Sequence, residues 1–269
     1  MTGQMAMKAL EMAPRVGVQI RPNHVSWDDM VAAWQYADEA GADSIWTFDH
    51  FFPIDGDPEG TAFECWTTLA AMASVTRNAQ IGPLVTCAGF RNPDLLADMA
   101  RTTDHASGGR VVLGLGSGWL ERDYHSYGYA MTGDADRIRE MELAIHRIRR
   151  RLGQLRPGPV GPLPILIGGL GERMTLDVCA RLGDAWNGWG TPDEIAHLNR
   201  ILDNWCERAE RDPTQVERTV ALFETASDAT YDDYAAAGAE HLILVRSGPE
   251  YQVDELESLL AWRDSRSGP

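Results

Sequence analysis

Eight short apolar runs alternate with eight helical patterns along this chain, and that alternation restricts the fold more than any single motif does. The runs are 16–20, 44–48, 79–86, 111–115, 164–167, 184–187, 219–224 and 241–245. Helical periodicity fills 27–40, 63–75, 92–106, 134–152, 172–182, 191–210, 231–237 and 253–262, with Asn92-Pro93 and Thr191-Pro192 as start signals. A strand that is followed each time by a helix can only pair in parallel, because the helix is the crossover that parallel neighbours require. Eight such units favour a barrel closed on itself over an open sheet, and the 269 residues match the size of about 250 residues usual for that barrel. We therefore expect an α/β fold, a (β/α)8 TIM barrel forming a single domain over residues 1–269, with 1–14 as a disordered N-terminal extension.

Charge and cysteine usage exclude several function classes. The formal net charge of -16 argues against a nucleic-acid partner and against anionic membrane surfaces, both of which are bound through clustered Lys and Arg. Arginines 147, 149, 150 and 151 do cluster, but at the end of a helical pattern, where cations suit the dipole. The four cysteines, Cys65, Cys87, Cys179 and Cys206, have no metal-binding spacing, so no metal site is expected. With no apolar signal core at the N-terminus and no long apolar run, the expectation is a cytoplasmic protein with reduced thiols.

In such barrels the chemistry lies at the carboxyl ends of the strands, on the loops that lead into the helices. The most informative of these loops is 165–173, where an apolar strand runs into Gly168, Gly169 and Gly171 and then into a helical pattern. Glycine allows positive φ and close approach of a ligand to backbone N–H groups, and a helix start adds free donors and a positive dipole end. Arg173, expected in the first turn of that helix, adds a cation for the same anion. The bland alternative is a tight turn that binds nothing.

The other loops supply Asp49-His50, Thr86-Cys87, the 116–121 segment with Gly116, Ser117, Trp119 and Glu121, and Asn187 with Trp189. His50 is a candidate general acid or base, the alternative being a histidine bonded to a backbone carbonyl. Asp49 either holds a ligand or caps its loop. Glu121 is either a carboxylate at the mouth or simply a solvated residue, and Glu64 either takes part in catalysis or complements a helix dipole. Trp119, Trp186 and Trp189 either stack on a planar ligand or belong to the core. The pattern G-x-G-x-x-G fails from Gly114, where Trp119 stands in the last position, and from Gly169, where Met174 does, so a Rossmann nicotinamide site is disfavoured. P-loop, nucleophile-elbow and HExxH patterns are also missing.

Taken in order, these segments resemble the luciferase-like monooxygenase superfamily, and within it the branch that uses the deazaflavin coenzyme F-420. The resemblance rests on 43–51, 66–70, 81–86, Arg91-Asn92-Pro93, 107–110, 114–119, Tyr127-Gly128, 165–171 and 184–187, and it spans about residues 16 to 245. It implies a (β/α)8 barrel with the coenzyme ring at its mouth and an oxidoreductase that exchanges a hydride between the coenzyme and a small organic substrate. His50 would be the proton donor or acceptor, with Glu121 as a second catalytic candidate. Asp49, His50, Leu84, Thr86, Gly116, Ser117 and Asn187 would contact the cofactor, and Gly168, Gly169, Gly171 and Arg173 its phosphate. A cis peptide, common in relatives, is expected between Pro83 and Leu84. An FMN-dependent monooxygenase and a non-catalytic flavin-binding barrel are the alternatives, and a homodimer is implied.

Two departures bear on the substrate. Trp119 stands where the family's sugar-phosphate dehydrogenases carry a carboxylate, and Ile54 where they carry a tryptophan, which disfavours that reaction. Residues 153–164 are also shorter than in most relatives, which implies a more open pocket.

Overall fold

The computed structural model describes residues 14–223, 230–251 and 254–266. The strands are β1 (Arg15–Ile20), β2 (Ser44–Thr47), β3 (Gln80–Pro83), β4 (Thr86–Cys87), β5 (Leu113–Gly116), β6 (Ile165–Gly168), β7 (Ala185–Gly188), β8 (Glu217–Leu222) and β9 (His241–Arg246). They form one parallel sheet in the order β3-β2-β1-β9-β8-β7-β6-β5-β4. The ends of that order meet: Ile81 of β3 bridges to Val111, with Val112 N–H donating to the Ile81 carbonyl at 2.9 Å. The expected eightfold barrel is therefore present, with its third strand broken into β3 and β4.

The break follows from what the residues there must reach. Leu84 N–H still donates to the Thr47 carbonyl at 2.7 Å, and the Leu84 carbonyl accepts from the Gln19 side chain at 2.6 Å, so the ladder holds through Leu84. The cis peptide lies after that residue, between Leu84 and Val85, and not between Pro83 and Leu84 as expected. The correction is one residue, because Pro83 and Leu84 are both still engaged with β2.

The helices are α1 (Trp27–Glu39), α2 (Cys65–Val75), α3 (Pro93–Ser107), α4 (Glu121–Tyr127), α5 (Asp134–Gln154), α6 (Thr175–Leu182), α7 (Pro192–Arg208), α8 (Tyr231–Ala236) and α9 (Asp254–Arg266). Asn92 caps α3 ahead of Pro93, and Thr191 with Glu194 forms a reciprocal cap on α7, as the start signals indicated. The short α4 lies inside what the periodicity gave as a long loop. Of the expected elements, Glu224, Val253 and residues 1–13 of the N-terminal extension lie outside the described residues.

Side chains alternate across each strand and separate two cores. Trp46, Leu84, Val112, Leu166, Ala185 and Ile243 fill the barrel interior, whereas Ile45, Ile81, Leu113 and Ile167 pack outward with the helices. This alternation decides which loop residues turn toward the mouth and which turn back under the helices.

Candidate active site

Past the end of β2, the inward sequence Trp46, Phe48, His50 and the outward sequence Ile45, Thr47, Asp49 separate the two residues expected at the ring. His50 packs edge-on against Phe48, with ring centroids 5.2 Å apart, and against Trp119 at 5.5 Å. Its Nδ1 lies 2.6 Å from the Asp123 carboxylate, which is fully buried and also accepts from the Phe51 backbone N–H at 3.1 Å. An ionised carboxylate has no proton to give, so beside ionised Asp123 the hydrogen sits on Nδ1, and when His50 is neutral its lone pair is at Nε2. Among the described residues Nε2 makes no hydrogen bond.

Asp123 was not among the expected site residues, and Glu121 took its place. The two carboxylates are two positions apart on α4, about 200° around the axis, and so face opposite sides. Glu121 is exposed in the first turn, where its charge suits the helix dipole, while Asp123 is driven under His50. A stack of aromatic rings seats the helix: Tyr127 lies over Phe51 at 3.9 Å, and Phe90 meets Tyr124 at 5.0 Å.

Asp49 and Thr86 lie behind the rim and are buried. The Asp49 carboxylate accepts from Thr86 Oγ1, from Cys87 N–H at 3.2 Å and from both ends of the Arg91 guanidinium, one of them at 2.9 Å. Thr86 Oγ1 in turn accepts from the Trp66 indole at 3.1 Å, and Arg91 also reaches Glu64 at 2.6 Å. Both oxygens of Asp49 thus accept bonds from within the chain, and Asp49 and Thr86 act as supports of the loop. Burial works against the Arg91 charge, but the adjacent Asp49 reverses that and holds the guanidinium firmly protonated. Glu64 caps α2 through the N–H groups of Trp66 and Thr67, and those bonds with Arg91 outweigh burial and hold its carboxyl below the ordinary range. Cys87 is pushed up to about 11 by burial, so the rim thiol stays protonated at neutral pH.

Beneath the mouth, Val85 lies across the two glycines expected to touch the cofactor from β5 and β6. A Cβ built on Gly116 would come within 2.6 Å of a Val85 methyl, and one on Gly168 within 2.9 Å. Both positions are therefore small for Val85. Leu84 faces the interior beside it, and Ser117 is half-buried, with its carbonyl accepting from Tyr124.

The 168–173 segment forms a cup that differs in one respect from expectation. Gly169 has φ of 135°, and its N–H donates to the Asn187 carbonyl at 3.1 Å. Asn187 is itself buried and fixed by a bond to Thr219, and Trp186, fully buried, donates to the Gly169 carbonyl at 2.9 Å. The α-helix starts only at Thr175, since Leu176 N–H reaches back to the Gly171 carbonyl and closes a wider turn. Arg173 consequently stands in that turn, exposed, and not in the first helical turn. Among the described residues, the N–H groups of Leu170, Gly171, Glu172 and Arg173 donate to no other group. Thr175, buried against Gly169 and Gly171, was not anticipated as part of the cup.

Comparison with known proteins follows the same outline. The family model described as luciferase-like monooxygenase matches residues 10–261. Among curated relatives, the F-420-dependent hydroxymycolic acid dehydrogenase of Mycobacterium tuberculosis (strain ATCC 25618 / H37Rv) is 29% identical over 260 residues, 90% of this chain and 70% of its own length. The F-420-dependent glucose-6-phosphate dehydrogenase of Amycolatopsis mediterranei (strain U-32) is 26% identical over 228 residues, 77% of this chain and 68% of its own. Among solved structures, an F-420-dependent secondary alcohol dehydrogenase in complex with an F-420-acetone adduct superposes with a TM-score of 0.82 at 17% identity, covering 92% of this chain and 98% of that one.

Proposed function

Because the chain belongs to the luciferase-like monooxygenase family, we propose that it is an oxidoreductase that exchanges a hydride between coenzyme F-420 and a small organic substrate. The observation that carries the reading is the His50–Asp123 pair at the carboxyl end of β2, with Nε2 of His50 free of any partner among the described residues. The curated relatives named above, both F-420-dependent dehydrogenases, support the choice of coenzyme.

The residues present suit such a coenzyme. Four consecutive N–H groups, Leu170 to Arg173, have no acceptor among the described residues, a donor set that suits a phosphate, and Gly169 and Gly171 let the turn pack closely on Thr175. When bound, the coenzyme supplies a ring carbon that gives or takes a hydride. The chain then has three tasks. The cup and Arg173 hold the phosphate end, Trp119 excludes water from the mouth, and His50 gives or takes the proton at the substrate oxygen while Asp123 keeps its ring oriented. A homodimer and a cytoplasmic setting belong to the same reading, and no helix among the described residues is long and apolar enough to cross a membrane.

The test follows the coenzyme's visible absorbance while alcohols and carbonyl compounds are screened against the purified protein, with His50→Ala beside the wild type. The variant should bind coenzyme F-420 within twofold of wild type and lose about 100-fold or more in turnover. Full turnover in His50→Ala would remove the proton role. Oxygen-dependent turnover with reduced FMN, and none with coenzyme F-420, would replace the reading by the monooxygenase alternative.

A further inference from the structure

We propose, resting on the oxidoreductase reading, that the mouth selects an uncharged, apolar alcohol or its carbonyl counterpart, and that Trp119 imposes that choice. Two independent features lead there. The first is the state of the cations. Arg21, Arg91, Arg122 and Arg137 lie on the loops and helices around the carboxyl ends of the strands and Arg246 ends β9, and each is paired with a carboxylate of the chain itself. Their side chains are at most 31% exposed. The only lysine of the sequence, Lys8, lies outside the described residues, and segment 224–229 contains neither Lys nor Arg. Arg139, on the same helix as Arg137, is 62% exposed but held by Asp136 at 2.6 Å, and Arg173, exposed at the cup, stands on the side assigned to the coenzyme phosphate. A carboxylate or phosphate on the substrate would therefore enter a desolvating site with no free counter-charge, in a protein of net charge -16.

The second feature is apolar surface left open at the same end. Trp119 is 61% exposed although its ring edge meets His50, and Trp189 and Phe223, on the loops after β7 and β8, are 41% and 37% exposed. Large rings facing solvent on converging loops are a surface that gains from covering by an apolar ligand. Trp119 is the one that also touches the proton-handling imidazole, so a substrate oxygen within reach of Nε2 places its carbon skeleton against that indole.

The reaction such a substrate undergoes is balanced by these groups. Oxidation would break the carbinol C–H and O–H bonds and form the C=O bond: the coenzyme, when bound, would supply the hydride acceptor, and Nε2 of His50 would take the proton. Reduction reverses each transfer.

The experiment measures binding. Dissociation constants of cyclohexanone, 2-nonanone, acetophenone and 4-acetylbenzoate are measured by ligand-observed NMR, with and without coenzyme F-420, for wild type, Trp119→Ala and Trp119→Arg. Acetophenone should bind wild type at least tenfold more tightly than 4-acetylbenzoate, which differs from it by one carboxylate. Trp119→Ala should lose at least fivefold for acetophenone, and Trp119→Arg, which supplies a free cation, should bring the two ligands within twofold. Equal affinity of the pair for wild type, an unchanged ratio in Trp119→Arg, or no binding of any neutral ketone would overturn the proposal. Coenzyme F-420 is titrated in parallel: its failure to bind would overturn the oxidoreductase reading, while the ketone ratio still decides the selectivity.

Discussion

Replacing Asp123 by Asn tests the proton-handling pair at nearly constant shape. The carboxylate accepts two hydrogen bonds, from His50 Nδ1 at 2.6 Å and from Phe51 N–H at 3.1 Å. An amide has only one oxygen. The Phe51 N–H can only donate, so the amide oxygen stays with it and the NH2 turns to Nδ1. That forces the proton of neutral His50 onto Nε2, the nitrogen that must accept the substrate's proton. Loss of a charged hydrogen bond is worth about 1.5–3 kcal/mol, or about a 10- to 150-fold loss if it acts on the transition state, and the reversed tautomer adds to that. We expect kcat to fall by about 100-fold or more. Coenzyme affinity should be unchanged, since α4 and the cup are on different loops, and the stability loss should be about 1 kcal/mol. The assay is steady-state turnover at saturating coenzyme, with the urea midpoint as a folding control. A folded, coenzyme-binding Asp123→Asn variant with kcat within threefold of wild type would refute the reasoning.

Gly116→Ala should cost about 1–3 kcal/mol, because its new methyl meets Val85 at 2.6 Å, and Val85→Ala should restore much of that loss in the double variant. Independent, additive effects in urea unfolding would contradict the packing argument. Arg91→Met leaves the Asp49 carboxylate buried without its cation, for an expected loss of about 3–5 kcal/mol, read as a large drop in Tm. Asp38 and Glu64 have folded pKa values below 3.8 and 4.5, since bonds from Ala79, Arg77 and Asn78 to Asp38, and from Thr67, Trp66 and Arg91 to Glu64, outweigh burial. Their contribution to stability is complete above those values and is lost as the pH falls through the lower folded ones. The urea midpoint should therefore drop between about pH 5 and pH 3, and a flat midpoint there would contradict the assignment.

The parts of this protein that were legible in its sequence are those set by periodicity and by strong local signals. Strand and helix alternation gave the barrel, and Asn92-Pro93 and Thr191-Pro192 placed two helix starts, because caps are local interactions. What was missed depends on distance along the chain. Asp123 meets His50 across 73 residues, and Arg91 meets Asp49 across 42, so neither pairing leaves a mark in a short window. Helical geometry sends positions 121 and 123 opposite ways, but periodicity alone gives α4 as loop, which hides that clue. Asp49 and His50 show the converse, where neighbours in sequence take different roles because a strand sends them to opposite faces. Gly116 and Gly168 have the residue type a cofactor contact would use, and Val85 requires the same smallness of them, a requirement that only the folded packing reveals.

The central claim is the identity of the coenzyme, and titrating the purified protein with coenzyme F-420 and with FMN, following tryptophan fluorescence, tests it most directly. Trp119 and Trp189 are exposed at the mouth and should report a ring bound there. Coenzyme F-420 should quench saturably in the micromolar range, and FMN should bind at least tenfold more weakly. Micromolar binding of FMN with no response to coenzyme F-420 would contradict it.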